Sequence, residues 1–168
     1  MRKKHVRCLF CLTLCLGIFM CASCSSQKKN PDRVLSELMA ACEDLPGGEV
    51  FHSDAEEGRE GYLPSSLLRA MYGEDAEPLL RGCAFSIYLS SFAEPIEIAV
   101  VRTESRTDAR AISALFLCRK DELRVALRHT EFAPLMDEIC VTVSGRYVVM
   151  GVTKDGTGFS DAVRRALS

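Results

Sequence analysis

Two pairs of strand-like segments, separated by one long helical segment, limit the possible folds of this chain most strongly. Residues 84–91 (AFSIYLSS) and 95–102 (PIEIAVVR) are rich in Ile, Val, Phe and Tyr, and a short break (FAEP) separates them. Residues 140–144 (CVTVS) and 146–153 (RYVVMGVT) flank Gly145. Glycine between two β-branched runs is typical of a hairpin turn. The sequence therefore predicts two antiparallel hairpins.

The segment between the hairpins has the pattern of an amphipathic helix of about twenty residues. Ser105 or Thr107 is its predicted N-cap, since both carry the hydroxyl that caps helices well. Its apolar face comprises Ala109, Ile112, Phe116, Leu123 and Leu127.

Three further helices are predicted outside the hairpins. Asn30 followed by Pro31 is a favourable helix start, and Pro64 opens a second, short helix that Gly73 closes. Residues 159–167 form the last helix, whereas residues 49–61 are polar and acidic and are predicted to be a loop. The order α-α-β-β-α-β-β-α indicates an α+β domain, an antiparallel sheet with helices on one face.

The first residues have the organisation of an export signal. Residues 8–24 (CLFCLTLCLGIFMCASC) contain five of the nine cysteines, including two C-x-x-C spacings. A basic segment with four Lys or Arg precedes this apolar run, and small residues end it. That arrangement is typical of a secretory signal peptide, and a zinc or redox site would need polar surroundings and turn residues. The 14 apolar residues fall short of the ~20 that span a membrane.

The end of this segment, CASC, resembles the lipobox of bacterial lipoproteins, in which the final cysteine is acylated and becomes the new N-terminus. Here that residue is Cys24, and Cys21 stands where leucine is usual. We therefore predict a signal peptide at 1–23, a polar tether at 24–31 and one α+β domain at 32–168. The chain would be anchored by lipid on the extracytoplasmic face of the cell membrane. Ordinary secretory cleavage after Ser23 is the alternative.

Charge limits the partners of the mature chain. Four of the 21 basic residues and none of the 23 acidic ones lie in residues 1–23, which leaves 17 and 23 and a formal charge of −6. An acidic domain of this kind is, by its net charge, a poor candidate for binding nucleic acid or anionic lipid headgroups. The four remaining cysteines lie in apolar contexts without a C-x-x-C spacing, and we interpret them as small buried side chains, with two disulfides as the alternative. They are Cys42, Cys83, Cys118 and Cys140.

Residues 32–166 resemble the domain of unknown function 4358, a family of predicted lipoproteins from Gram-positive anaerobes. The resemblance depends on the segments EIAVVR, TDARAI, FAP and VSGRYVVMGV, after the signal and the capped first helix. It implies a location in the cell envelope. It implies no activity, no cofactor and no catalytic residues, because the family has none to transfer.

The residues that could carry chemistry do not form a recognisable motif. His52 lies beside Ser53 and Asp54, but sequence neighbours do not converge as the members of a catalytic triad do. The acidic segment 49–61 could hold a metal ion with His52, although it lacks the order of a calcium loop. His129 follows the long helix, where a cation complements the helix dipole.

Three basic residues of the long helix recur at a spacing of four and share one face: Lys120, Arg124 and Arg128. They could bind an acidic partner or instead form ion pairs within the protein. The sequence thus favours a non-catalytic binding or interaction module, with an envelope protein or a small ligand as its partner. The alternative is an envelope metal-dependent hydrolase that uses the acidic 49–61 loop.

Overall fold

A computed structural model describes residues 29–91 and 94–168. The predicted signal peptide and the lipidation site Cys24 lie outside these residues. In the described part of the chain, no helix is both long and apolar enough to cross a membrane.

A five-stranded antiparallel sheet forms the centre of the domain. Its strands are β1 (Gly48–His52), β2 (Ala84–Ser90), β3 (Glu97–Arg102), β4 (Cys140–Ser144) and β5 (Tyr147–Val152). They lie in the order β1-β2-β3-β5-β4. Both predicted hairpins are confirmed, and so is the α+β class. In the turn between β4 and β5, Gly145 adopts a φ of 62°, a conformation that favours glycine.

Strand β1 corrects the sequence analysis, which predicted a loop over residues 49–61. Its five residues pair with β2 from Gly48 opposite Ser90 to His52 opposite Ser86. Only Phe51 in this strand is fully buried, because β1 lies at the edge of the sheet. An edge strand buries little surface, so its sequence stays polar and resembles a loop.

Six helices surround the sheet in the described residues. They are α1 (Pro31–Ala41), α2 (Ser65–Tyr72), α3 (Ala76–Arg81), α4 (Arg106–Leu127), α5 (Ala133–Asp137) and α6 (Gly156–Leu167). The predicted caps form: the Asn30 side chain accepts a hydrogen bond from the Asp32 amide, and Ser105 accepts one from Asp108. Ser105, not Thr107, is therefore the cap of α4.

Helices cover both faces of the sheet, so the expectation of helices on one face was wrong. Helices α1 and α6 pack on one face over Ile98, Val100 and Val149. Helices α2 to α5 pack on the other face over Ala99 and Met150, among others. The central strands β3 and β5 are buried on both sides, which explains why their sequences are almost continuously apolar instead of alternating.

One end of the sheet gathers the termini of several elements. Strand β3 ends there at Arg102, which pairs with Tyr147 at the start of β5. Helices α1 and α4 begin at this end, and α6 finishes there, since residues from all three line one cleft with the β4–β5 turn. The described chain therefore starts, at Lys29, at this end of the domain.

Candidate functional site

The predicted basic face of α4 is largely used inside the protein. The Lys120 ammonium donates a hydrogen bond to the Ile139 carbonyl at 2.8 Å. Arg124 Nε donates to the Met136 carbonyl at 3.2 Å, and its Nη2 lies 3.3 Å from a carboxylate oxygen of Asp137. These contacts fasten the segment between α4 and β4. Of the three predicted residues, Arg128 is exposed at the end of α4. Lys120 and Arg124 therefore form contacts within the protein, which is one of the two roles that the sequence left open.

His52 receives its polar partners from distant parts of the chain. Its Nδ1 lies 2.7 Å from Asp32 Oδ1 in α1 and 3.4 Å from Ser86 Oγ in β2. Both partners contact the same ring nitrogen. A catalytic triad needs the carboxylate on one nitrogen and the nucleophile on the other. The arrangement therefore fixes the end of β1 to α1 and does not activate the serine.

The two histidines do not converge. His52 contacts α1 on one face of the sheet, whereas His129 follows α4, which packs on the opposite face. Across residues 29–91 and 94–168, no group of three His, Cys, Asp or Glu side chains could hold a metal ion. The proposed hydrolase site around the acidic 49–61 segment therefore has no structural support among these residues.

A buried polar cluster that the sequence analysis missed joins α2, β3 and α4. The Tyr72 hydroxyl donates a hydrogen bond to Glu97 Oε1. Arg119 Nε lies 3.5 Å from Glu97 Oε2, and the two side chains are only 20% and 5% exposed. The one available signal was Glu97 itself, a carboxylate at the start of a strand that is otherwise apolar until Arg102.

Burial sets the electrostatics of this cluster. It raises the pKa of the Glu97 carboxyl, while the Arg119 charge and the Tyr72 hydrogen bond act in the opposite direction. Burial, followed by the charge of Glu97, raises the pKa of Tyr72 well above its ordinary value. Glu97 is thus held between Tyr72 and Arg119, as in a structural cluster.

A cleft lined by several cationic side chains lies at the end of the sheet where the described chain starts. We call it the basic cleft. Five cationic side chains line it: Lys29, Arg33, Arg102, Arg106 and Arg146. Its volume is about 1130 Å³, and Glu104 is the one acidic residue in its lining.

The cations of the basic cleft differ in how far they are neutralised. Arg33 forms an ion pair with Glu37 at 3.0 Å, and Arg146 Nη1 lies 3.8 Å from Glu104. Lys29 donates to the Ala166 carbonyl at 2.6 Å.

Arg102 keeps unused hydrogen-bonding capacity. Its Nε is buried and has no hydrogen-bond partner within the residues that the structure describes. The second buried donor without a hydrogen-bond partner in these residues is Arg119 Nε, which lies 3.5 Å from Glu97 Oε2, whereas Arg102 lines the basic cleft.

The basic cleft could not be found by reading along the chain. Its cations are distributed from Lys29 to Arg146, and no two of them are sequence neighbours. The sheet order brings β3 beside β5, and this pairing alone places Arg102 next to the β4–β5 turn.

Comparison with known proteins adds no assignment. The chain matched no family model, no curated protein and no solved structure. The resemblance to domain of unknown function 4358 therefore stays a prediction.

Proposed function

We propose that this chain is an extracytoplasmic lipoprotein, anchored to the cell membrane through Cys24, whose domain is a non-catalytic module that binds an anionic partner. One observation carries the proposal: the described domain starts at Lys29, on the wall of the basic cleft and five positions after Cys24. The anchor predicted by CASC and the most strongly charged cavity would then lie at the same end of the molecule.

The number of residues between Cys24 and Lys29 limits the distance between the anchor and the basic cleft. Five residues span at most about 18 Å when fully extended. An acyl chain on Cys24 would therefore hold the basic cleft within that distance of the bilayer surface. The predicted resemblance to a lipoprotein family favours the same envelope location.

Binding is favoured over catalysis by the arrangement of the reactive groups. The acid of the buried cluster, Glu97, is held between Tyr72 and Arg119. His52 uses one nitrogen for both of its neighbours. By contrast, the basic cleft has several guanidinium groups, which suit planar, two-point recognition of carboxylate or phosphate.

Intact mass of the protein extracted from membranes tests the anchor. We expect a chain that begins at Cys24 and carries added acyl mass, and we expect a Cys24→Ser variant to lose both the added mass and the membrane association. An unmodified soluble wild-type chain, or one that retains residues 1–23, would refute the lipoprotein assignment.

A further inference from the structure

We propose that the basic cleft binds the phosphate groups of anionic phospholipids in the membrane that carries the anchor, so that the domain docks on that membrane with this end. The biological setting depends on the proposed lipoprotein anchor. The binding itself depends only on the folded domain and is tested without Cys24.

Position is the first argument. The cleft lies where α1 and α4 begin, where α6 ends and where the β4–β5 turn projects. The tether of five residues joins the domain at this end, and the far end of α1 lies about 16 Å further from the point of attachment. The cleft is therefore the part of the described surface that an anchored chain presents to the bilayer.

Charge separation is the second argument. The mature chain has a formal charge of −6, yet five cations and one acid line the cleft. The opposite end of the sheet has a smaller cleft with three acids, Glu43, Asp44 and Asp155, and one cation, Lys154, in its lining. An anionic leaflet would attract the first end and repel the second, and this orients the domain.

Unused donors are the third argument. Arg102, whose buried Nε has no hydrogen-bond partner within the described residues, lines the same cleft as Arg106. Phosphate oxygens accept paired hydrogen bonds from guanidinium groups more readily than from neutral donors. A phospholipid phosphate satisfies this requirement, and its glycerol and acyl parts would remain in the bilayer below.

Nearby acids limit how the domain can tilt. Glu37 neutralises Arg33, and Asp108 accepts a hydrogen bond from the Ser105 hydroxyl beside the cleft. The acidic segment 54–60 follows β1 at the same end of the sheet, but β2 separates β1 from β3, a distance of about 10 Å. The membrane contact should therefore lie towards β3, β5 and β4, with the β1 edge tilted away.

The test uses residues 25–168, which contain every described strand and both layers of core residues and lack Cys24. We would measure its partition onto phosphatidylcholine vesicles with and without phosphatidylglycerol. We expect binding only when phosphatidylglycerol is present, and weaker binding at raised salt because the charges are screened. Replacing two cleft cations, the exposed Arg106 and the partly buried Arg146, in Arg106→Gln/Arg146→Gln should lower the partition coefficient about 25-fold, since each cation near an anionic leaflet contributes roughly fivefold.

The matched control is Arg128→Gln/Lys154→Gln, which removes two exposed cations distant from the cleft, since Lys154 lines the cleft at the opposite end of the sheet. Arg128 follows the far end of α4, about 33 Å along the helix axis from Arg106. The control should bind as the unmodified chain does, and circular dichroism should show both variants folded.

Three outcomes would overturn the proposal: equal binding to vesicles of phosphatidylcholine alone, an equal loss in both double variants, or binding of inorganic phosphate without binding to the vesicles. The last outcome would make the cleft a site for free phosphate. None of these outcomes depends on lipidation, whereas failure of the mass measurement would refute the anchor alone.

Discussion

The Tyr72 hydroxyl donates a hydrogen bond to the carboxylate of Glu97 and thereby joins α2 to the first residue of β3. Both residues are buried, at 5% and 3% exposure. Arg119 of α4 completes the cluster from the same face of the sheet. Three elements that are distant in sequence thus meet at a polar contact inside an apolar core.

Tyr72→Phe should lower the free energy of unfolding by about 1.5–3 kcal/mol, because it removes a buried hydrogen bond to a charged group. Urea unfolding followed by circular dichroism measures this. Tyr62→Phe is the matched control: its hydroxyl accepts a long hydrogen bond of 3.3 Å from exposed Arg81, so its effect should be small. Equal effects of the two substitutions would contradict a special role for the Tyr72 contact.

Glu97→Gln should change how stability depends on pH. Burial raises the pKa of Glu97 above its ordinary value of 4.5. At pH values between 4.5 and the pKa of the folded state, the folded chain therefore keeps a proton that the unfolded chain has lost. The contribution of Glu97 is therefore fully present below pH 4.5 and is lost as pH rises through the folded pKa. Glutamine does not titrate, so the free energy of unfolding of the wild type relative to Glu97→Gln should fall as pH rises.

Urea unfolding at a series of pH values from acid to neutral gives this difference directly. Glu74→Gln, at a side chain that is 90% exposed, is the control and should run parallel to the wild type. A Glu97→Gln profile that also runs parallel to the wild type would show that the buried carboxyl does not titrate differently in the folded state.

Gly151→Ala should destabilise the contact between β5 and α6. A Cβ at this position would lie 2.2 Å from a ring carbon of Phe159, so the ring would have to move. Overpacking of this kind costs roughly 1–3 kcal/mol. Gly47→Ala is the control, because a Cβ there meets nothing within 4 Å. Thermal unfolding should show a lower Tm for Gly151→Ala only, and adding Phe159→Leu should restore part of the loss.

In the folded chain of residues 25–168, Cys118 should be the first thiol to react with a maleimide. It is exposed, whereas Cys42, Cys83 and Cys140 are partly buried, and all four are free. Burial raises the pKa of the thiols of Cys42 and Cys83, which lowers the fraction of reactive thiolate at neutral pH. Maleimide labelling followed by peptide mass mapping gives the order of reaction. Faster labelling of Cys42 or Cys83 than of Cys118 would contradict this order.

The structure partly corrects the interpretation of these cysteines as small buried side chains. All four cysteines have apolar neighbours in the sequence. In the structure, however, Cys118 lies on the exposed side of α4, and the other three are only partly buried. A helix of 22 residues contacts the sheet along one stripe, so an apolar residue off that stripe remains exposed.

The sequence by itself determined the local elements of this protein. The two hairpins, the long helix and the cap at Asn30 follow from residue periodicity, turn glycine and hydrogen bonds between near neighbours, and the structure selected Ser105 over Thr107 as the cap of α4. These features involve contacts between residues a few positions apart, and local sequence patterns therefore predict them.

Only the tertiary structure decided the second helical layer, strand β1, the Tyr72–Glu97–Arg119 cluster and the basic cleft. Each depends on which strands become neighbours, and the order β1-β2-β3-β5-β4 is a property of the whole sheet. The predicted cations Lys120 and Arg124 donate hydrogen bonds to backbone carbonyls of the segment before β4, whereas Arg102 and Arg146 came together from a strand and a turn. Long-range pairing sets the surroundings of a charged side chain, because burial and nearby charge act through space and leave no regular spacing in the sequence.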